Sequence, residues 1–224
     1  MRNLLRILPL WVEVTFVVMV AFGGPVVASL LVAIHPPHNA LTTEPQLWGL
    51  ILNELIVFGM LGLFLYARDW TFERLGLKFH WSDPLWGVAL LAAVYAAFFA
   101  VWYGLSHVPV PLLHLKPMQQ FVSPGISAQT VIALVLVNPV FEEVFVAGYI
   151  IAALKDVRGA TYAINVSVLI RLVYHLYQGV SGVLSIIPMG LIFAYWFARK
   201  GRLWPLIVAH ALLDLIPLLY VLKS

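Results

Sequence analysis

Residues 128–154 read AQTVIALVLVNPVFEEVFVAGYIIAAL, an apolar run with two adjacent glutamates, Glu142 and Glu143, near its middle. Crossing the hydrocarbon core of a bilayer takes about 20 mostly apolar residues in a helix, and this run exceeds that. Turn chemistry closes it at Ser123-Pro124-Gly125 and charge closes it at Lys155-Asp156. Six more runs of the same kind lie at about 9–34, 47–67, 84–105, 159–178, 180–198 and 203–222. Their breaks are His35-Pro36-Pro37, Ala67-Arg68-Asp69, Ser82-Asp83-Pro84, Gly179 to Gly182 and Arg199-Lys200-Gly201.

The rest of the composition agrees. Of 224 residues, 62% are hydrophobic and 10% charged, with a mean hydropathy of +0.97. A soluble domain carries roughly 25% charged residues, so this chain has too little polar surface to coat a water-soluble globule. The expected fold class is all-α: a polytopic transmembrane helical bundle of about seven spans. One membrane domain covers 1–224, with three accessory N-terminal helices in 1–126 and a four-helix core in 127–224. There is no cysteine, which excludes disulfides, thiolate nucleophiles and Cys-ligated zinc. A net charge of +3, dispersed along the chain, does not point to nucleic acid.

Charge placement orients the bundle. Arg2, Arg6, Arg68, Arg74, Lys78, Lys155, Arg158, Arg199, Lys200 and Arg202 fall on one side of a seven-helix arrangement, while Lys116 and Lys223 fall on the other. Cations concentrate in cytoplasmic loops, so the N-terminus is expected in the cytoplasm. The eight tryptophans, including Trp11, Trp48, Trp70, Trp81 and Trp204, lie near run ends, as an interfacial belt requires. The first run contains Glu13 and is too long for a signal-peptide core, so it is expected to be a retained helix. The loop 106–127 is rich in proline and apolar residues and is expected on the outer interface or dipping back into it.

Ionisable residues inside spans are costly and usually mark function. Glu13 is expected at an interface, and Asn53-Glu54 as a polar contact between helices. The second half is denser. The fourth run holds Asn138, Glu142 and Glu143, the fifth Arg171 and His175, and the seventh His210 and Asp214. Neighbouring helical residues point about 100° apart, so one glutamate can face a cavity while the other meets a partner. Arg171 and His175, like His210 and Asp214, stand four apart and share a helix face. Counted from the helix ends, His175 lies higher than the glutamates and His210 lower, a gap that tilt or a kink at Pro139 must close. His35, His38, His107 and His114 fall in outer loops and are expected to be ordinary loop residues.

The order of these residues resembles the CAAX-protease and bacteriocin-processing family, which includes the Ras-converting CAAX endopeptidase and many prokaryotic relatives. The resemblance rests on Glu142-Glu143-Val144-Phe145-Val146-Ala147-Gly148, on His175, and on Trp204-Pro205 leading to His210-Ala211-Leu212-Leu213-Asp214. It covers roughly 127–224. The family pattern is Glu-Glu-x-x-x-Arg, Phe-x-x-x-His, and His-x-x-x-Asn or His-x-x-x-Asp. This sequence departs from it twice: Ala147 stands at the arginine position and Arg171 at the phenylalanine position. The expectation is a swap, in which the guanidinium moves one helix on and still neutralises Glu143; loss of the site is the alternative.

The resemblance implies an intramembrane endopeptidase that uses no serine or cysteine nucleophile. Glu142 with His175 would activate water, and His210 with the residue at 214 would hold the oxyanion. Asp214 complicates that role, since an ionised carboxylate only accepts hydrogen bonds; it donates only when protonated, and otherwise orients His210. No cofactor is implied. Two histidines with a carboxylate also suit zinc or another divalent ion, on Glu142, His175 and His210, although no His-Glu-x-x-His is present. The expected partners are the lipid bilayer and a membrane peptide or protein substrate. The expected location is the plasma membrane of a bacterium or archaeon, where prenylated substrates do not follow from the family name. Two other classes stay open: a non-catalytic relative acting in bacteriocin immunity or as a membrane binding partner, and a transporter, which the lack of visible inverted repeats disfavours.

Overall fold

A computed structural model describes residues 8–35, 41–107 and 122–222. The expectations placed on Arg2, Arg6, His38, His114, Lys116 and Lys223, and on most of the loop 106–127, lie outside these residues. Helices follow in the order α1 (Leu10–Ile34), α2 (Glu44–Ala67), α3 (Asp83–Ser106) and α4 (Ala128–Glu142). A π-helical segment (Glu143–Tyr149) then joins α4 to α5 (Ile150–Arg158), and α6 (Ala160–Tyr174) leads through a 3-10 turn (Leu176–Gln178) into α7 (Gly179–Lys200) and α8 (Trp204–Val221). Among the described residues the one pairing of strand type is an isolated bridge between Thr42 and Val122.

The fold is an all-α polytopic bundle. Among the described residues, six helical rods are long and apolar enough to cross a membrane: α1, α2, α3, the 31-residue composite Ala128–Arg158, α7 from Gly182, and α8. Large apolar side chains such as Leu63, Phe99, Leu136 and Val180 face outward, as lipid contact demands. The interior is apolar too, drawing Val17, Leu61, Val94, Phe141, Ile150, Ala163, Phe193 and Leu206 from α1 to α8 in turn into one cluster.

The seventh rod differs from expectation. In place of a run through 178, α6 has 15 residues and stops at Tyr174, short of the length a full crossing needs. The cause is local. His175 N–H bonds to Leu172 O at 3.1 Å instead of continuing the α-helical pattern, and the His175 ring takes the Arg171 carbonyl through Nδ1 at 2.9 Å. Gly179, at φ 70°, then reverses the chain into α7, a conformation that favours glycine.

Close packing sets the rest. A Cβ on Gly87 would lie 2.6 Å from the Val208 side chain, so glycine is what lets α3 press against α8. At the end of the bundle where the described cations gather, Glu13 sits in the first turn of α1 and is buried there. It accepts from Trp70 Nε1 at 2.8 Å and Tyr149 Oη at 3.0 Å, and pairs with Arg68. Trp70, just past the end of α2, thereby has its indole turned into the interior. At the opposite end, Glu44 at the start of α2 accepts from Ser127 N at 3.1 Å and from the Thr130 hydroxyl, tying α2 to the beginning of α4.

Candidate active site

Glu142 closes α4 and Glu143 opens the π-helical segment. A π-turn widens the helix and frees backbone groups, a device that recurs at functional sites. Here the widened stretch is braced from outside: Ser167 Oγ on α6 donates to Val146 O at 2.7 Å. Gly148 lies against the 68–82 loop, where a Cβ would come 3.0 Å from Leu75 O.

The two carboxylates have different surroundings. Glu143 is fully buried. Arg171 Nη2 donates to both of its oxygens, at 2.8 and 2.9 Å, and His210 Nδ1 lies 2.7 Å from Oε1. Glu142 instead lines a cavity of about 440 Å³ shared with Glu54, Asn138, Tyr174, His175, His210 and Asp214. Tyr174 Oη donates to Glu142 Oε2 at 2.6 Å, and Asn138 Nδ2 to Oε1 at 3.3 Å. Arg171 Nη1 stands 3.5 Å from Oε2. One guanidinium, itself 1% exposed, thus faces both glutamates. Gly190 on α7 packs beside its stem. A cation this deeply buried persists only with such partners.

The histidines are oriented by their neighbours. The Arg171 carbonyl can only accept, so the 2.9 Å contact places a proton on His175 Nδ1 and leaves Nε2 as the acceptor in the neutral ring. His210 has Glu143 at Nδ1, with Asp214 Oδ2 3.7 Å from Nε2. It is therefore Glu143 that orients His210, and Asp214 stands beyond hydrogen-bond reach on the other side. The helical origins of His175 and His210 differ in depth, but in the fold, with α6 stopping at Tyr174 and a π-segment following Glu142, their side chains line one cavity.

Glu54 is the residue whose part was least visible. It sits on α2, is 4% exposed, and accepts from Asn138 Nδ2 at 2.7 Å, while its other oxygen has no partner among the described residues. One Asn138 amide therefore bridges Glu54 and Glu142. The polar pair Asn53-Glu54 inside an apolar run was the signal; its lack of any motif hid its destination.

The comparisons fall on this same set of helices. Residues 124–216 match the family model described as Type II CAAX prenyl endopeptidase Rce1-like. This is a protease family of the CAAX-protease and bacteriocin-processing group, and the Rce1-like region contains Glu142, Glu143, Arg171, His175, His210 and Asp214. Glu54 lies outside it. No curated protein and no solved structure matches the chain. Among the described residues, no three His, Asp or Glu side chains are grouped closely enough to hold a metal ion.

Proposed function

We propose that this protein is an intramembrane endopeptidase in which Glu142, assisted by His175, activates water against a peptide bond of a membrane-associated substrate. The observation that carries the reading is the cavity itself. It places a glutamate, held by a tyrosine and an asparagine donor, beside a histidine whose free nitrogen is set by the backbone. Peptide hydrolysis needs a base for water, a donor for the oxyanion and a proton for the leaving amine. Glu142 and His175 take the water proton as the water oxygen bonds to the carbonyl carbon. His210, in its imidazolium form, donates from Nε2 to the oxyanion while Glu143 holds Nδ1. The C–N bond then breaks as the proton carried by Glu142 passes to the amine nitrogen. Glu143 and Arg171 position these groups without touching substrate. Asp214 lies beside His210 Nε2 and supports its charged form. We place the protein in the plasma membrane of a bacterium or archaeon.

The reading is tested by incubating the protein in liposomes with a mixture of membrane-protein peptides and mapping new termini by mass spectrometry. The wild type is expected to create new termini that the His175→Ala variant does not. If the two produce the same termini, the peptidase reading fails, and the non-catalytic reading suggested by Ala147 takes its place.

Glu54 is expected to matter in the same assay. Glu54→Ala removes the acceptor that holds Asn138 against Glu142. A hydrogen bond to a charged group contributes about 1.5–3 kcal/mol, and each 1.4 kcal/mol is about tenfold. Cleavage should therefore slow by roughly 10–100-fold, with the same loss in Asn138→Leu and no further loss when the two changes are combined. Additive losses would show that the bridge is not one unit.

A further inference from the structure

We propose that the cavity admits its peptide from the face opposite the cationic end of the bundle, as an extended and mainly apolar segment of about four to five residues. This rests on the peptidase reading for what happens to the segment, but not for where it comes in.

Three observations carry it. The first is which parts of the helices line the cavity. From α1 it takes residues from Phe22 toward the C-terminus; from α2, residues up to Glu54; from α4, residues up to Glu142; from α8, residues from His210 onward. With Ala128–Arg158 taken as one rod, all of these except His210, which lies just short of the middle of α8, belong to the half of their helix remote from Arg68, Lys155, Lys200 and Arg202. The second is closure on the cationic side. Beneath the carboxylates the π-segment is sealed by Leu75 and Leu203, both buried, and by Gly148 against Leu75 O. The loops below are stitched by Trp204 Nε1 to Leu77 O at 2.8 Å, by Leu203 N to Gly76 O at 2.9 Å, and by the Arg202–Asp83 pair. The third is the gradient of wall chemistry. The ionisable groups sit at the floor, while Thr42 and the apolar Ala28, Leu47, Leu134, Leu218 and Val221 line the way out.

The short α6 helps form this shape. Its hairpin with α7 turns at Leu176–Gln178, and Tyr177 N donates to Ser29 Oγ at 2.8 Å, fixing the turn to the wall of α1 beside the floor. From His210 to Val221 the α8 wall spans about 16 Å at ~1.5 Å per residue. An extended chain advances about 3.3 Å per residue, which gives the segment length stated above. Cationic ends face the cytoplasm, so the substrate class is the outward-facing, apolar part of an exported or membrane-anchored protein. A cytoplasmic C-terminal tail does not fit this access.

The chain has no cysteine, so single cysteines report access without background. Gln178→Cys and Leu218→Cys place a thiol on the cavity wall, and Glu73→Cys places one on the exposed cationic-side loop. Each full-length variant is treated with a cationic, membrane-impermeant methanethiosulfonate, in right-side-out and in inverted membrane vesicles, and modification is read by mass. The expected result is that Gln178→Cys and Leu218→Cys react only in the orientation in which Glu73→Cys is protected. Reaction from the same side as Glu73→Cys, or from neither side, overturns the proposal. A leucine-rich pentapeptide added on the reactive side is expected to slow modification of Gln178→Cys, and an equally long polar peptide is not; equal protection by both overturns the apolar class. Labelling does not depend on cleavage, so sided labelling without any proteolysis would sink the peptidase reading and leave the access route standing.

Discussion

Glu142→Gln is expected to abolish cleavage while leaving the folded protein intact. General acid–base catalysis contributes about 10²–10⁴-fold, and this single group is assigned both the abstraction of the water proton and its delivery to the amine, so the upper part of that range is expected. The substitution keeps size and keeps one acceptor oxygen, which can stay toward Tyr174 at the 2.6 Å contact, while the weaker 3.3 Å contact from Asn138 is given up. It removes the basic oxygen. Thermal unfolding in detergent should therefore move little while product formation falls to background. Cleavage at a rate near wild type in Glu142→Gln would end the assignment, whatever the stability.

Arg171→Met is expected to be the most destabilising single change in the site. It leaves Glu143, fully buried, and Glu142 facing each other without their shared cation. Breaking a buried ion pair by removing one partner costs about 3–5 kcal/mol, whereas replacing both partners by apolar groups is often neutral or better. Arg171→Met combined with Glu143→Leu should thus recover stability that Arg171→Met loses, and recover no activity, because His210 loses the carboxylate that holds Nδ1 at 2.7 Å. Thermal unfolding and peptide cleavage measured on the same samples separate the two roles. The origin of the guanidinium has its own test. Ala147 is buried one helix away from Arg171, and the family pattern has arginine there. Ala147→Arg with Arg171→Phe is expected to retain more cleavage than Arg171→Phe alone. If the double variant is no better than the worse single one, the two positions are not interchangeable supports for Glu143.

Much of the architecture was legible in advance, because crossing a bilayer is a local property. A run of about 20 apolar residues spans or does not according to its own composition, and the six long rods follow from that rule. The order Glu142-Glu143, His175, His210, Asp214 was also readable, since spacing within a helix fixes which side chains share a face. Glu13 and Trp70 lie at helix ends, as their place in the sequence implies, and what tertiary structure adds is their burial. Nearness to a run end says how deep a side chain lies, and says nothing about whether a neighbour such as Tyr149 turns it inward.

What tertiary structure alone decided is relative depth and company. Sequence spacing left His175 and His210 on different levels; in the fold, with α6 stopping at Tyr174 and a π-segment following Glu142, they line one cavity. None of these is a property of a single run: the Ser167 bond to Val146 O comes from a neighbouring helix. The same holds for Glu54, which reaches Glu142 only because α2 packs on α4 through Glu44 and through Asn138. Hydropathy is summed along one chain segment and so belongs to the sequence. A catalytic distance is a difference between two segments, and only their packing sets it.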